Sequence, residues 1–460
     1  MLQQTTRKAF VTHPRRSPGP VNRSLRIGGE GPRQVFSHSC FCSGPAEVEP
    51  GLRAGGMTGM AALAEDLGRP LRARSRARGV MEAEVFTDLA AAEGLWRALE
   101  SDPAVLMTPY QRFDWVAAYL GAGIDAGEAT RILVLRDEGG RARLLIPLTV
   151  GRRGPLRIAR VVGDRHANFH MPLFASREAA AMRPEDLTEA LVRAGRAAGI
   201  DAFTFRNQPR FWDGVPNPLS ARGLPAPSDA YGMLLGPDAE ATLRRVFSGD
   251  TRKKLRAKER KLVEALGPVE HRIAGTPEAA AEIQAAFYAQ KAARFTGLGI
   301  ADPYAAAGIR RFIAAATAPG AEGTAPAIEV HALVATKSGR ILATFGGAVD
   351  AARFCGMWTS FDTDPELGRF SPGEILLHRL VGQQAARGRR ALDLGVGEAG
   401  YKAKTCDETI ELVEQVVPVS PASHLLVLAS GAGIRLKHRI KRSPRLWAAV
   451  QSLRRLRRGR

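Results

Sequence analysis

The sequence predicts an α/β (α+β) fold in two consecutive halves, each a mixed, mostly antiparallel sheet flanked by helices. Three observations predict it. Strand-length segments bounded by turns interleave with runs at helical spacing. The order strand, turn, strand, helix, strand occurs once before about residue 230 and again after it. The chain has 460 residues, more than one ordinary core, and its 45% hydrophobic and 24% charged content is that of a globular protein.

The first half is placed near 84–230. Val85-Phe86 opens a strand, and Leu89, Leu95, Trp96 and Leu99 make a helix of Asp88–Leu99. Tyr110-Gln-Arg-Phe-Asp-Trp115 begins a second amphipathic helix. Strands follow at Arg131–Arg136 and Ala142–Val150, joined by the turn Asp137-Glu-Gly-Gly-Arg141. A strand at 158–163 runs into an irregular stretch ending at Leu173, then a helix over 185–199 and a strand at Asp201–Arg206. The second half is placed at 231–415. It opens on a basic helix, Leu243–Leu266, followed by helices over 278–293 and 304–316. Strands Ile328–Thr336 and Ile341–Val349 are joined at Lys337-Ser-Gly-Arg340; strand Arg353–Phe361, loop 362–372, helix 373–387 and strand Ala391–Leu394 complete it.

The net charge of +20 is concentrated at the ends of the chain. Residues 1–80 carry 13 Lys and Arg against 5 Asp and Glu, and residues 421–460 carry 11 with no acid; the 340 residues between hold 42 against 41. A nucleic-acid-binding fold carries its basic patch on the folded body, so this distribution disfavours nucleic acid as a partner. Residues 1–80, rich in Pro, Gly, Ser and Arg, read as a disordered extension; Met57, Met60 and Met81 are alternative starts, and the Arg-rich character also suits a transit peptide. Cys40 and Cys42 lack the CxxC spacing of a metal or redox site, and Cys355 and Cys406 have no partner pattern. Together with the absence of an apolar run of spanning length, this predicts a cytoplasmic protein. The tail 421–460 reads as basic and amphipathic: after Pro444, Leu446, Trp447, Val450 and Leu453 fall at helical spacing beside clustered arginines. Such a helix suits an anionic membrane surface, placing the protein peripherally on the inner face; a disordered or docked tail is the other reading.

The chemistry is expected in 359–402. Ser371-Pro-Gly-Glu374 opens a helix: Ser371 can cap it, Pro372 suits its first position and Gly373 admits close approach. The free N–H groups of such an end attract an anion. Ala391-Leu-Asp-Leu-Gly-Val-Gly397 then brings a strand to an open, glycine-bearing end, with Glu398, Tyr401 and Lys402 just beyond.

This series, Thr359-Ser-Phe-Asp362, Phe370-Ser-Pro-Gly-Glu-Ile-Leu-Leu377, Leu392-Asp-Leu-Gly395 and Tyr401-Lys402, resembles the BioF2-like and CelD-like acetyltransferases. These are relatives of the FemABX peptidyltransferases within the GNAT superfamily. The basic segment Arg252-Lys-Lys-Leu-Arg-Ala-Lys-Glu-Arg-Lys-Leu262, Phe287-Tyr288 and Tyr110–Trp115 resemble its earlier markers. The resemblance covers about 84–415 and implies two tandem GNAT-like domains. It also implies an acyl group carried by acetyl-CoA or another acyl-CoA, or by a tRNA in the Fem branch, passed to an amine or hydroxyl. The donor pyrophosphate is then expected at Arg369, Ser371, Pro372, Gly373 and Glu374. The usual signature, Arg/Gln-x-x-Gly-x-Gly/Ala, is reduced here to one basic residue and one glycine in Arg369-Phe-Ser-Pro-Gly373.

Acyl transfer needs a polarised thioester carbonyl, a proton acceptor and register between reactants. Asp393, Glu398 and Tyr401 are the acid–base candidates, with a structural cap as the other reading of Asp393. Lys402 binds an anion or is a solvated lysine. His166 and His170, four apart on a loop, lack the further ligands a metal needs, so no metal is expected. The cations of the basic helix are a solvated face or meet an anionic partner. The acceptor is expected to be a small molecule or saccharide, such as a polysaccharide or cell-envelope precursor. The alternatives are a tRNA-dependent aminoacyl transferase, another RNA-binding protein, or a non-catalytic scaffold.

Overall fold

The computed structural model describes residues 81–320, 324–398, 400 and 402–442. The extension 1–80, Tyr401 and the tail from 443 lie outside them.

The first sheet gathers β1 (Glu82–Phe86), β2 (Ala129–Arg136), β3 (Ala142–Arg153), β4 (Leu156–Val161), β5 (Leu173–Phe174), β6 (Ala202–Pro209) and a short β9 (Leu224–Pro225). Its helices are α1 (Leu89–Ser101), α2 (Phe113–Gly121), α3 (Arg177–Ala180) and α4 (Pro184–Ala197), and a hairpin of β7 (Phe211–Trp212) and β8 (Val215–Pro216) follows β6. The second half contributes β10 (Ala230–Leu234), α5 (Ala239–Val246), α6 (Gly249–Leu266), β11 (Val269–Ile273), α7 (Pro277–Gly297) and α8 (Ala307–Thr317). After these come β12 (Ile328–Ala335), β13 (Arg340–Val349), β14 (Arg353–Phe361), α9 (Pro365–Gly368), α10 (Pro372–Ala386), β15 (Ala391–Val396) and α11 (Lys402–Thr405). Strands β16 (Glu408–Ile410) and β17 (Leu412–Pro418) and helix α12 (His424–Arg442) end the described chain.

The predicted fold class is the observed one: mixed, mostly antiparallel sheets flanked by helices, with one element order used twice. Each half runs strand, two helices, three antiparallel strands, helix, then a strand parallel to the third of them: β4 with β6, and β14 with β15. The halves also exchange a strand. The first sheet runs β1-β2-β3-β4-β6-β17-β9, with β5 beside β3, and the second β11-β12-β13-β14-β15-β10-β16. Thus β10, reached straight after the first half, is inserted into the second sheet, and the late strand β17 into the first. No single cut of the chain separates the sheets.

Local chemistry explains one difference from expectation. The basic helix expected as Leu243–Leu266 is broken in two, because Phe247 is extended and the Ser248 side chain accepts from Thr251 N (3.2 Å), capping a new helix. The core is continuous across the halves. Trp115 stacks on Tyr119 of α2 at 5.5 Å, and both rings meet Phe312 of α8 edge-on at 5.1 and 5.3 Å. A second cluster, with Leu376, Leu380 and Phe354, fills the space between α10 and the second sheet. No described helix is long and apolar enough to cross a membrane.

Candidate active site

The second sheet opens where β14 and β15 part. They pair through only three rungs, Arg353 with Ala391, Phe354 with Leu392 and Cys355 with Asp393. At the same place the β13–β14 register slips: Gly347 faces Gly356 and Gly346 faces Trp358, leaving Met357 as the extra residue of a bulge. A bulge bends and twists its strand, which carries the rest of β14 away from β15. The first half closes the root of this fork. Asn168, from the irregular loop after β4, is buried and its Nδ2 donates to the Gly356 carbonyl (3.0 Å) and to the Tyr110 hydroxyl (2.8 Å). Gly395 on β15 lies against the same carboxamide at φ 76°, where a side chain would be both strained and within 3.0 Å of Asn168.

Beyond β14 the loop is braced by Arg340, which pairs with Asp362 (2.7 Å) and Asp364 (3.2 Å). It delivers the chain to Ser371, one of four non-glycine residues of positive φ among those described (φ 52°, ψ 58°), and then to Pro372 at the first position of α10. Holding such a residue left-handed costs about 1 kcal/mol or more, and such strain collects at ligand sites. The expected Ser371 cap is not formed. The left-handed backbone turns the side chain away from the helix, and its Oγ instead accepts from Lys258 Nζ of α6 at 2.7 Å. Lys258 also pairs with Glu374 in the first turn of α10 (3.1 Å), and Glu259 on α6 pairs with Arg379 on α10. The basic helix is therefore docked along α10, with one cation at its N-terminal end. Gly373 is buried in that first turn. Arg369 is 63% exposed, pairs with Glu366 (3.1 Å) and lies over the Phe370 ring.

Lys402, expected at the anion, is fully buried, and its Nζ donates to the carbonyls of Gly395 (3.0 Å) and Gly397 (3.1 Å). It fastens the turn after β15. Asp393 is also fully buried. Its Oδ1 accepts from Gly395 N (3.2 Å), while Oδ2 has no hydrogen-bond partner among the described residues. Burial pushes its carboxyl up to about 6, against the pull of Arg353 and the Cys355 thiol. Glu398 is exposed just past the strand, and Tyr401 lies outside the described residues.

Next to the bulge, a cleft opens between the halves, walled by Tyr304, Ile309, Phe312, Ile313, Met357 and Trp358. Arg165 and His166, from the loop that also carries Asn168, complete it. Burial holds the His166 imidazole down to about 4, so it is neutral at pH 7. Among the described residues no group of three or more His, Cys, Asp or Glu is placed to hold a metal ion.

The first half repeats the three-rung fork, Ile158 to Arg160 with Ala202 to Thr204. Yet the first turn of α4 carries Glu185 and Asp186, which repel an anion at that helix end. At the last rung Arg160 is held by Glu128 (2.6 Å) and Asp164 (3.8 Å). The pairing of fork, cation and helix end belongs to the second half. Sequence reading found the Ser371–Glu374 segment and the basic helix separately; Asn168, Met357 and Trp358 carried no motif that would mark them.

Comparison with known proteins bears on the same region. Residues 249–403 match the family described as an acetyltransferase (GNAT) domain. No curated protein matches the sequence. Among solved structures, FemX superposes with a TM-score of 0.52 at 10% identity, covering 75% of this chain and 99% of that one. The C-terminal domain of a putative lysylphosphatidylglycerol synthetase from Agrobacterium fabrum gives a TM-score of 0.42 at 14% identity, over 69% and 91% of the two chains. A tandem GNAT protein from the clavulanic acid biosynthesis pathway gives 0.38 at 11% identity, over 74% and 99%. Residues 249–403 are thus similar to a GNAT acetyltransferase domain, and the fold around them is similar to that of FemX.

Proposed function

We propose that the protein transfers an acyl group from acyl-CoA to an amine or hydroxyl at the fork of the second sheet, within the BioF2-like and CelD-like branch of the superfamily. One observation carries this reading. The fork, the strained Ser371 turn and the Lys258 cation meet at the start of a GNAT-type helix. A pyrophosphate there gains the N–H groups of the first turn and the charge of Lys258. Ser371 and Gly373 line its approach, Pro372 sets the helix start, and Glu374 holds Lys258 in place. Arg369 adds a cation at the rim. Past Gly356, whose carbonyl is taken by Asn168, β14 has no strand partner on its β15 side from Met357 to Phe361 among the described residues, which leaves that edge to the amide arm of the donor.

In the transfer, the acceptor nitrogen or oxygen attacks the thioester carbonyl, the new C–N or C–O bond forms, the C–S bond breaks, and CoA leaves as its thiolate, which takes a proton from solvent to become the thiol. The Asp393 carboxylate, beside the root of the fork with one oxygen unpartnered, takes the acceptor's proton; Glu398, exposed just past the strand, passes it to solvent, and Tyr401 is proposed for the same step on its sequence alone. Lys402 keeps the Gly395–Gly397 turn open rather than meeting the donor. The exposed Leu425 and Leu428 on α12, ahead of the basic sequence that follows, support contact of the C-terminal tail with an anionic membrane surface.

Titration calorimetry with acetyl-CoA tests the donor assignment. A saturable one-site isotherm is expected. Absence of binding, with tRNA bound instead in a steeply salt-dependent manner, overturns it.

A further inference from the structure

We infer that the acceptor is a compact apolar amine or alcohol rather than a sugar, held in the cleft between the halves; this deepens, and rests on, the acyl-transfer reading above. The cleft lies where the acceptor of a fork-bound thioester must be. Met357, the bulged residue, forms part of its wall, one residue past the last carbonyl tied to Asn168. The donor anion site starts beyond Phe361, about 13 Å along the strand from Met357 at ~3.3 Å per residue. On this reading a donor lying along that edge, with its anion beyond Phe361, brings its thioester end to the bulge.

The walls determine what fits. Trp358 stacks on Phe287 at 4.2 Å, and Phe287 meets Tyr304 edge-on at 4.8 Å, making one aromatic wall. Trp358 can adopt this position because Gly346 opposite it has no side chain; a Cβ there would fall inside the indole ring. Ile309, Phe312 and Ile313 of α8 form the facing wall, and Phe312 is itself fixed by Trp115 and Tyr119 of the first half. A saccharide loses hydration at every hydroxyl it buries and must be given a hydrogen bond for each. Against its mostly apolar walls this cleft sets Arg165, already beside Asp164 at 3.7 Å, the His166 imidazole, the Tyr304 hydroxyl and the Trp358 indole N–H, which is fewer hydrogen-bonding groups than the donor and acceptor sites of a buried sugar ring require. The neutral imidazole of His166 can accept one N–H or O–H, which is what a single amine or alcohol group on an apolar body brings.

The test uses the full chain and four probes: 2-phenylethylamine, 2-phenylethanol, hexylamine and glucosamine. Each is titrated alone in a calorimeter and then assayed for acetyl transfer from acetyl-CoA by thiol release. Saturable binding of at least one apolar probe and none of glucosamine is expected. Tyr304→Ala should weaken that apolar probe about tenfold and leave acetyl-CoA affinity unchanged, with an unaltered thermal melt showing that the variant folds. Gly346→Ala, which displaces Trp358, should do the same if it melts normally. Saturable glucosamine binding, or acetylation of glucosamine, or no binding by any apolar probe, overturns the inference. Failure of the donor reading is seen separately: acetyl-CoA then fails to bind while the apolar probe still binds and still depends on Tyr304.

Discussion

Two buried carboxylates in the second sheet have opposite surroundings. Glu329 on β12 is met by Arg389 through both oxygens (2.6 and 2.9 Å), by Arg387 (3.0 Å), by Gln384 (3.2 Å) and by the His331 Nε2–H (3.3 Å). His331 is kept neutral by burial and accepts from His271 on β11 through its other nitrogen (3.1 Å). Burial alone would raise the Glu329 carboxyl, but His331 and Arg389 overcome it and hold it well below the usual carboxylate range. Asp393 on β15 has one oxygen without a partner and a carboxyl raised to about 6. The first acid is fully satisfied and ties the C-terminal end of α10 to the sheet. The second is incomplete where the strands part. A buried polar atom left unpaired calls for an explanation, and a proton-accepting role at the fork supplies one.

The largest effect is expected at the satisfied acid. Glu329→Gln leaves Arg389 buried without its counter-charge, which should cost about 3–5 kcal/mol, read as a fall in urea midpoint. Glu329 contributes stability above its unfolded value near 4.5 and loses it as pH falls, so the gap between variant and parent should narrow in acid. An unchanged midpoint at pH 7 would mean that the cluster is ornamental. Asp393→Asn should instead spare the fold and lower kcat by about 10²-fold or more, with acetyl-CoA affinity retained. Because the carboxylate is the active form and its carboxyl sits near 6, activity of the parent should rise with pH through about 6 and the variant should lose that limb. If Asp393→Asn melts like an unfolding core mutant yet keeps its turnover per folded molecule, the two acids are alike and the contrast is broken.

Lys258→Ala removes one half-exposed cation from the helix end and should weaken acetyl-CoA binding about fivefold, more at low salt than at high. Equal affinity in the variant would move the pyrophosphate away from Ser371. Arg369→Ala should be the mildest, below about twofold, since its guanidinium is largely exposed and already paired with Glu366. A loss larger than that of Lys258→Ala would reverse their order at the anion.

Much of this was legible in the sequence. Strand-length apolar runs gave Ile328–Thr336 and Ile341–Val349, whose residues are buried on both faces, and helical spacing gave the helix after Pro372. Ser371-Pro-Gly marked a helix start, and Arg252–Leu262 marked a basic helix. The meeting of the two was not legible, since Lys258 is one of seven cations in that run and only tertiary packing selects it. Asn168 sits in a stretch without periodicity, and its partner is a backbone carbonyl 188 residues away. Lys402 read as an anion ligand because a lysine after a glycine-bearing turn is usually solvated; here the turn folds its own carbonyls over the ammonium. The short strands Ala230–Leu234 and Leu412–Pro418 take their places from distant partners, which no local pattern encodes.

That exchange of strands has a consequence for how the chain is made. During synthesis β6 emerges some two hundred residues before β17, the strand that lies between it and β9. Until Leu412–Pro418 is available, the first sheet has an open edge at β6, and β9, which pairs only with β17, has nothing to join. Such an edge is prone to pair with other chains, and closing it waits on a contact of long sequence separation, which slows folding. In the second half β10 likewise waits, about 160 residues, until β15 emerges to pair with it, while β11 to β14 can assemble ahead of it. β17, the last of the described strands, then seals the open edge of the first sheet and ties it to the end of the second half.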